Sequence, residues 1–275
     1  MARASFKKYY RKKRKKSFFK SRFFLIFILL SGLFTALFYF FIFSDFFWVE
    51  KNVITGVKRA PSQQIDNILK ENAENKLIFF ESRSIFLFNK TKAKKEILSA
   101  FPEIEDLKIE KKLPRTIKVS LKEREKEGVF CFEKKCFLLD QEGIAFYPLE
   151  EESPKNASDK SIVVFENELF KKELVLGEKV IEDFFMGPAL TIKSFFEKEL
   201  NIPLKRIIIA SRARLNFETR EGWRAYFSLE KDIEWQKKEL FFVLKKRVLP
   251  EKRKNLEYID LRFDKIFISP KDYNL

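Results

Sequence analysis

From Phe23 to Phe43 the chain runs 21 residues without a charge, FFLIFILLSGLFTALFYFFIF, between Arg22 and Asp45. Sixteen of them are Phe, Leu or Ile, and as a helix they reach about 31 Å, the thickness of a bilayer's hydrocarbon core. Each such residue favours insertion by about 0.3–0.6 kcal/mol near the bilayer centre, so the run is expected to span. A cleaved signal peptide has a shorter apolar region and ends in a small-x-small site, whereas this one ends in aromatics. Eleven Lys and Arg, with no Asp or Glu, fall in residues 1–22. Subtracting them from the net charge of +16 leaves +5 for the other 253 residues, an ordinary mixed-sign surface. The charge is thus a basic tail beside a span. Such a tail stays cytoplasmic and is drawn to anionic lipid, which explains it more simply than a nucleic-acid patch does. Lipid is the expected partner of helix and tail, and residues after the span are expected outside the cytoplasm.

The exported part reads as two units. In residues 46–124, FWVEKNVITG is extended up to Gly56, and Pro61 with Ser62 opens a helix that carries Ile65, Ile68 and Leu69 on one face. Ala93, Ile97, Ala100 and Phe101 keep helical spacing until Pro102. Leu107 and Ile109 then alternate, Pro114 turns the chain, and LPRTIKVSLKERE sets Ile117, Val119 and Leu121 against Lys118, Ser120 and Lys122. The pattern is β-α-α-β-β. Residues 125–275 are richer in strands. GVFCFEKKCFLLDQEGIAFYP and ARLNFETREGWRAYFSL are short apolar runs broken by charged or glycine-containing turns, the signature of antiparallel sheet. Two helices interrupt it, one with Ala189, Ile192, Phe196 and Leu200, the other with Ile233, Leu240, Val243 and Leu244 before Pro250. YIDLRF and KIFISP close the chain as two strands about a tight turn at Asp264. The fold class is α+β, with a tail at 1–22, a span at 23–44, a module at 46–124 and a mainly antiparallel β domain with two helices at 125–275.

No residue pattern carries enzyme chemistry. There is no His, so His-based triads, general bases and metal sites are absent, and neither GxGxxG nor GxxxxGK[ST] occurs. Glu123 with Glu125, or the run Glu150–Glu152, reads far better as glutamates of solvated strands and loops than as a glycosidase pair, since nothing marks one of them for a raised pKa. No catalytic residue, metal site, cofactor or small-molecule substrate is expected. Cys131 and Cys136 flank FEKK in an apparent hairpin, a spacing that suits a cross-strand disulfide outside the membrane; two free thiols are the other outcome. The loop is so short that a bond would add only about 2 kcal/mol.

The order of basic tail, single span, LPRTIKVSLKER-ended module, FLLDQEGIAF and terminal YIDLRFDKIFI resembles the FtsQ/DivIB bacterial cell-division proteins over the whole chain. The module is similar to their POTRA domain and the remainder to their β domain. POTRA modules also occur in outer-membrane assembly proteins, but those carry a cleavable signal, usually repeated modules, and a long barrel. The resemblance implies a non-enzymatic scaffold at the septum. Its module helps localisation near the membrane, and its β domain holds bitopic division proteins of the FtsB and FtsL type, without nucleic acid. In a bacterial setting the sequon Asn156–Ser158 has no meaning. A membrane-anchored envelope protein that binds cell wall or carbohydrate would show the same anchor and β-rich domain.

The last strand is the expected point of capture. If Lys265–Ser269, with Ile266, Phe267 and Ile268, is a sheet edge, its outward backbone groups can pair with a partner strand, and Phe263 and Phe267 offer side-chain contact. Arg262, Arg212 and Arg214 are expected to meet acidic residues of that partner. The plain alternative is an edge protected by Lys265 and Pro270.

Overall fold

A computed structural model of the chain describes residues 22–77, 80–132, 135–149, 162–169 and 173–270, though not the side chains of Leu77 and Phe80. The basic tail through Ser21, the Glu150–Glu152 run and the Asn156–Ser158 sequon lie outside the described residues. Helix α1, Arg22–Phe43, exposes nearly every apolar side chain, and its one internal hydroxyl bond, Thr35 Oγ1 to the Ser31 carbonyl at 2.9 Å, closes on the helix itself. A helix apolar all round and covered by no protein needs another apolar medium. It is long and apolar enough to cross a membrane, which suggests a single-pass membrane protein.

Backbone contacts divide the chain into two compact units. One gathers the described residues up to Val53 with Asp66–Ala93 and Ile109–Val119; the other gathers Ile54–Ile65, Lys94–Lys108 and the described residues from Ser120 on. After a single turn of 3₁₀ helix at Asp45–Phe47 come β1 (Lys51–Thr55), α2 (Ser62–Ala73), β2 (Asn75–Leu77), β3 (Phe80–Ser82), α3 (Lys90–Ala100), β4 (Ile104–Lys112) and β5 (Thr116–Glu123). Strands β1, β5 and β4 lie in that order in one sheet, while β2 and β3 form a separate antiparallel pair between the helices. That small pair was not expected: it arises at KLIFFES, an apolar run too short to show a period. Elsewhere the periodicities hold, except that Ala100, placed on the apolar stripe of α3, is exposed at the helix end. Ile65 and Leu69 of α2 and Ala93 and Ile97 of α3 are buried, as are Ile117, Val119 and Leu121 of β5. Asn89 caps α3 through Oδ1, which accepts from the Lys92 N–H at 3.0 Å.

Glu123 is the exception on the buried face of β5. Its Oε1 accepts from three successive backbone N–H groups, Lys58 at 2.6 Å, Arg59 at 2.8 Å and Ala60 at 3.1 Å, and the Arg59 guanidinium lies 3.4 Å from Oε2. The carboxylate thus ties the loop before α2 to the end of β5.

The second unit ends in a nine-stranded sheet. Its strands are β6 (Gly128–Phe132), β7 (Lys135–Leu139), β8 (Ala145–Leu149), β9 (Val164–Asn167), β10 (Leu204–Ser211), β11 (Arg214–Thr219), β12 (Arg224–Ser228), β13 (Leu256–Asp260) and β14 (Phe267–Pro270), in the order β14-β13-β12-β11-β10-β9-β6-β7-β8. Helices α4 (Asp183–Lys198) and α5 (Ile233–Lys246) cover one face. Phe185, Ala189, Ile192 and Phe196 of α4 and Leu240, Val243 and Leu244 of α5 join Phe130, Phe165, Ile207, Phe217 and Phe227 of the sheet in one core, with Phe196 stacked on Phe217 at 5.8 Å. Buried Gln236 fixes α5 to β12 like an added strand residue: Oε1 accepts from the Ser228 N–H and Nε2 donates to the Ser228 carbonyl, both at 2.8 Å. Most neighbours are antiparallel, but β9 is parallel to both β6 and β10, and β12 to β13. The closing hairpin is wider than the tight turn expected at Asp264, because β13 ends at Asp260 and β14 begins only at Phe267.

Burial raises the Glu123 carboxyl, but the three N–H bonds and Arg59 outweigh it and hold it below the ordinary glutamate value. A lowered folded-state value stabilises fully above the unfolded value, and the contribution is lost as pH falls through the folded one. Glu123→Gln should therefore cost about 2 kcal/mol at neutral pH, with the deficit shrinking in acid; urea unfolding of both proteins at pH 7 and at about pH 3.5 measures it, and an equal deficit at both contradicts the assignment.

Candidate functional site at the open sheet edge

Among the described residues the nine-stranded sheet has two ends, β8 and β14, and they are finished differently. Along β8 the Ala145 N–H donates to the Glu178 carbonyl at 3.3 Å and the Ala145 carbonyl accepts from the Gly177 N–H at 2.8 Å, while Ile144 bridges Lys179. Pro148 also stands within β8 and removes a donor. The covering segment and the proline both blunt that edge. Strand β14 pairs with β13 on one side, Asp260 opposite Phe267, Ile259 opposite Ile268 and Tyr258 opposite Ser269. No strand lies on its other side among the described residues.

Alternation decides what β14 presents. Ile268, with Ile266 just before the strand, turns inward and packs against the core, so these two side chains support the edge and do not face outward from it. Phe267 points to the helix-free face and is 52% exposed; Phe263, from the preceding turn, is 50% exposed and meets it edge-on at 5.6 Å. With Tyr258, Asp260, Asp264 and Lys265 they line a shallow groove of about 580 Å³. The Asp264 carboxylate is held by Lys231 at 2.6 Å, whereas Lys265 is exposed.

The register extends this surface across the sheet. Asn216, Tyr226, Asp260 and Phe267 are successive cross-strand neighbours on the same face. Tyr226 stacks on Tyr258 at 5.3 Å, and the Arg214 and Arg262 guanidinium groups lie over the Tyr226 ring at 4.6 and 5.4 Å. Arg262 also lies 5.3 Å from the Phe263 ring. Of the three arginines assigned to acidic partner residues, Arg262 is already clasped by Asp260 through Nε and Nη2 at 2.8 and 2.6 Å. Arg214 donates to Asn216 Oδ1 at 2.7 Å, and exposed Arg212 sits in the β10–β11 turn outside the grooves. A second, polar groove of about 480 Å³ includes Arg214, Asn216, Ser228, Arg262 and Phe263. The sequence reading missed Tyr226 and Tyr258, although both occupy the outward positions of alternating runs.

Cys131 and Cys136 face each other in the β6–β7 register and are joined as a disulfide. The strands extend to Phe132 and Lys135, so the connection is shorter than the four residues read from the sequence. Among the described residues no group of three or more His, Cys, Asp or Glu is arranged to hold a metal ion, and Glu123 is engaged by backbone N–H groups.

A family model described as POTRA domain, FtsQ-type, matches residues 49–124, the stretch that holds β1 through β5. That match supports an FtsQ/DivIB-like family. It suggests a cell-division protein of the FtsQ family, one of non-enzymatic scaffolds that work through protein–protein contact, and septal localisation. A search of curated proteins finds no match to the chain.

The clasp makes Asp260 a structural support for the β14 edge. Burial raises its carboxyl, but the Arg262 bonds outweigh this and hold it below the ordinary aspartate value. Asp260→Ala should cost about 2 kcal/mol in urea unfolding at neutral pH; a change within about 0.5 kcal/mol, as for an ordinary surface site, would show that the clasp is not stabilising.

Proposed function

We propose that the chain is a bitopic scaffold of the bacterial divisome: it links division proteins of the FtsB/FtsL type at the septum and contributes to control of septal peptidoglycan synthesis. In this reading residues 1–22 are a cytoplasmic tail that adds attraction to lipid, 23–44 the span in the cytoplasmic membrane, 46–124 the POTRA module and 125–275 the binding domain. The tail's excess of Lys and Arg supports an extracytoplasmic position for both domains, where Cys131 and Cys136 stay oxidised.

The observation that carries the reading is the pairing of an FtsQ-type POTRA match next to an apolar helix with a sheet whose last strand has, among the described residues, no strand on one side. A partner segment that adds a strand beyond β14 satisfies those backbone groups, and the Phe263–Phe267 pair gives it an apolar anchor. Arg262 supports the anchor by holding its turn, and Lys265 and Arg212 are the cations left for acidic partner residues.

A fluorescent fusion should gather at midcell. Phe263→Ala with Phe267→Ala, folded by circular dichroism, should capture the FtsB/FtsL-type partner at least about tenfold less well, the loss of roughly 1.4 kcal/mol of binding. Uniform envelope fluorescence contradicts the divisome assignment, and undiminished capture by the folded double variant contradicts the edge.

A further inference from the structure

The surface beside the end of α1 collects groups that the edge-capture reading does not use. The helix does not pass into a free linker. Its carbonyls at Phe41 and Ile42, which lack helical partners, accept from Ser84 Oγ at 2.9 Å and Ser82 Oγ at 2.5 Å. The next residues are held as well: the Ile85 N–H donates to the Phe47 carbonyl at 2.9 Å and the Val49 N–H to the Arg83 carbonyl at 3.0 Å. Residues 82–85 are thus fastened by four hydrogen bonds, two to the helix end and two to the residues that follow it.

Aromatic packing sets the depth of what is fastened there. Buried Phe47 is ringed by Phe40, Phe41 and Phe86 at centroid distances of 5.7, 5.2 and 5.1 Å, and Phe41 meets Phe86 at 5.5 Å. Phe41 stands two residues before the end of α1, about 3 Å along its axis. A ring in contact with Phe41 lies within one side chain's length of the hydrocarbon boundary. Phe86 is nevertheless 41% exposed, Phe46 is 51% exposed, and Leu113, at the β4–β5 turn, is 59% exposed. Cations stand among them. Lys111 Nζ donates to the Phe86 carbonyl at 3.0 Å, and Arg115 donates through Nε to the Phe46 carbonyl at 3.2 Å with its guanidinium 5.9 Å from the Phe46 ring. Arg115 has Glu50 as a partner at 2.7 Å and Asp45 is exposed nearby in sequence, while burial, then the charge of Lys90, hold the Lys111 amine below its ordinary value. An anionic group at Lys111 relieves that repulsion.

Taking α1 as a membrane span, we infer that Phe46, Phe86, Leu113, Lys111 and Arg115 form a membrane seat that lies in the headgroup layer of the leaflet from which α1 emerges, with anionic lipid headgroups as its ligand. Apolar rings at the acyl boundary and cations at the phosphate level are the arrangement an interface selects. Lys111 and Arg115 are far from the span in sequence, so they are free of the charge rule for flanking residues, and the fold returns them to its end.

The test uses the full chain in lipid nanodiscs, spin-labelled without reductant at Leu113→Cys or, separately, Phe86→Cys, with unsubstituted protein as the blank. Oxygen and nickel-chelate accessibilities give label depth. In discs that contain phosphatidylglycerol both labels should sit at or below the phosphate plane, and exchange of that lipid for phosphatidylcholine should move the Leu113 label outward. Labels that read as freely in water in the anionic discs, while the protein stays disc-bound, overturn the seat; equal depth in both lipids overturns the anionic ligand. Should Phe86→Cys disturb the aromatic cluster, the Leu113 label, at an exposed turn, decides. Failure of the chain to enter discs at all overturns the span and the seat with it.

Discussion

Four residues hold the large sheet together. Strand β9, Val164–Asn167, lies between β6 and β10 and pairs in parallel with both, Val164 opposite Val129 and Arg206, Phe165 opposite Phe130 and Ile207. It joins a three-stranded half, β6 to β8, to a five-stranded half, β10 to β14. A strand buried between two others must have its backbone groups paired on both sides, and Phe165, fully buried, reaches into the common core. The fit leaves no room for a side chain at Gly128: a Cβ there would come within 2.5 Å of the Phe165 ring and 2.8 Å of the Val163 carbonyl. Once β9 is seated, the sheet's order is fixed and its only ends among the described residues are β8 and β14.

Those ends then carry different duties. A covering segment and a proline blunt β8, while β14 has no strand on its other side among the described residues and borrows its rigidity from what lies behind it. Ile266 and Ile268 root it in the core, Asp260 holds Arg262, and Arg262 and Arg214 sit on Tyr226. The arginines thereby stiffen an aromatic surface, a role in which the planar guanidinium differs from an ammonium. Exposed Phe263 and Phe267 form the part of this surface that a new strand would meet first. Such an edge ordinarily risks unwanted pairing, and a scaffold that works by contact turns the same unsatisfied groups to use.

The sequence was most legible where a period ran long enough to be read. The alternation in β5 and the apolar faces of α4 and α5 follow from spacing that burial enforces, and the uncharged run of α1 is read from its length alone. Strand β9 was not legible: it is four residues long, and a parallel strand needs no hairpin turn to announce it. The β2–β3 pair was missed for a similar reason. At the edge, the chain told that Ile266, Phe267 and Ile268 were strand-like, but only the register with β13 separates inward Ile268 from outward Phe267. The arginines were read as free charges, although Asp260 and Asn216, which bind Arg262 and Arg214, stand only two residues away; Tyr226 alone becomes their neighbour through pairing of strands distant in sequence. Glu123 misled in the same way, as an acid in an alternating strand whose partners are backbone N–H groups more than sixty residues earlier.

Capture of a partner strand at β14 is read out by a photocrosslinking amino acid placed at Phe267 on one edge and at Tyr147 of β8 on the other, in dividing cells. Both positions are exposed. A covalent adduct with another single-span division protein is expected from position 267 and none from 147. An adduct from 147 alone, or from neither while the protein still gathers at midcell, would contradict capture at β14.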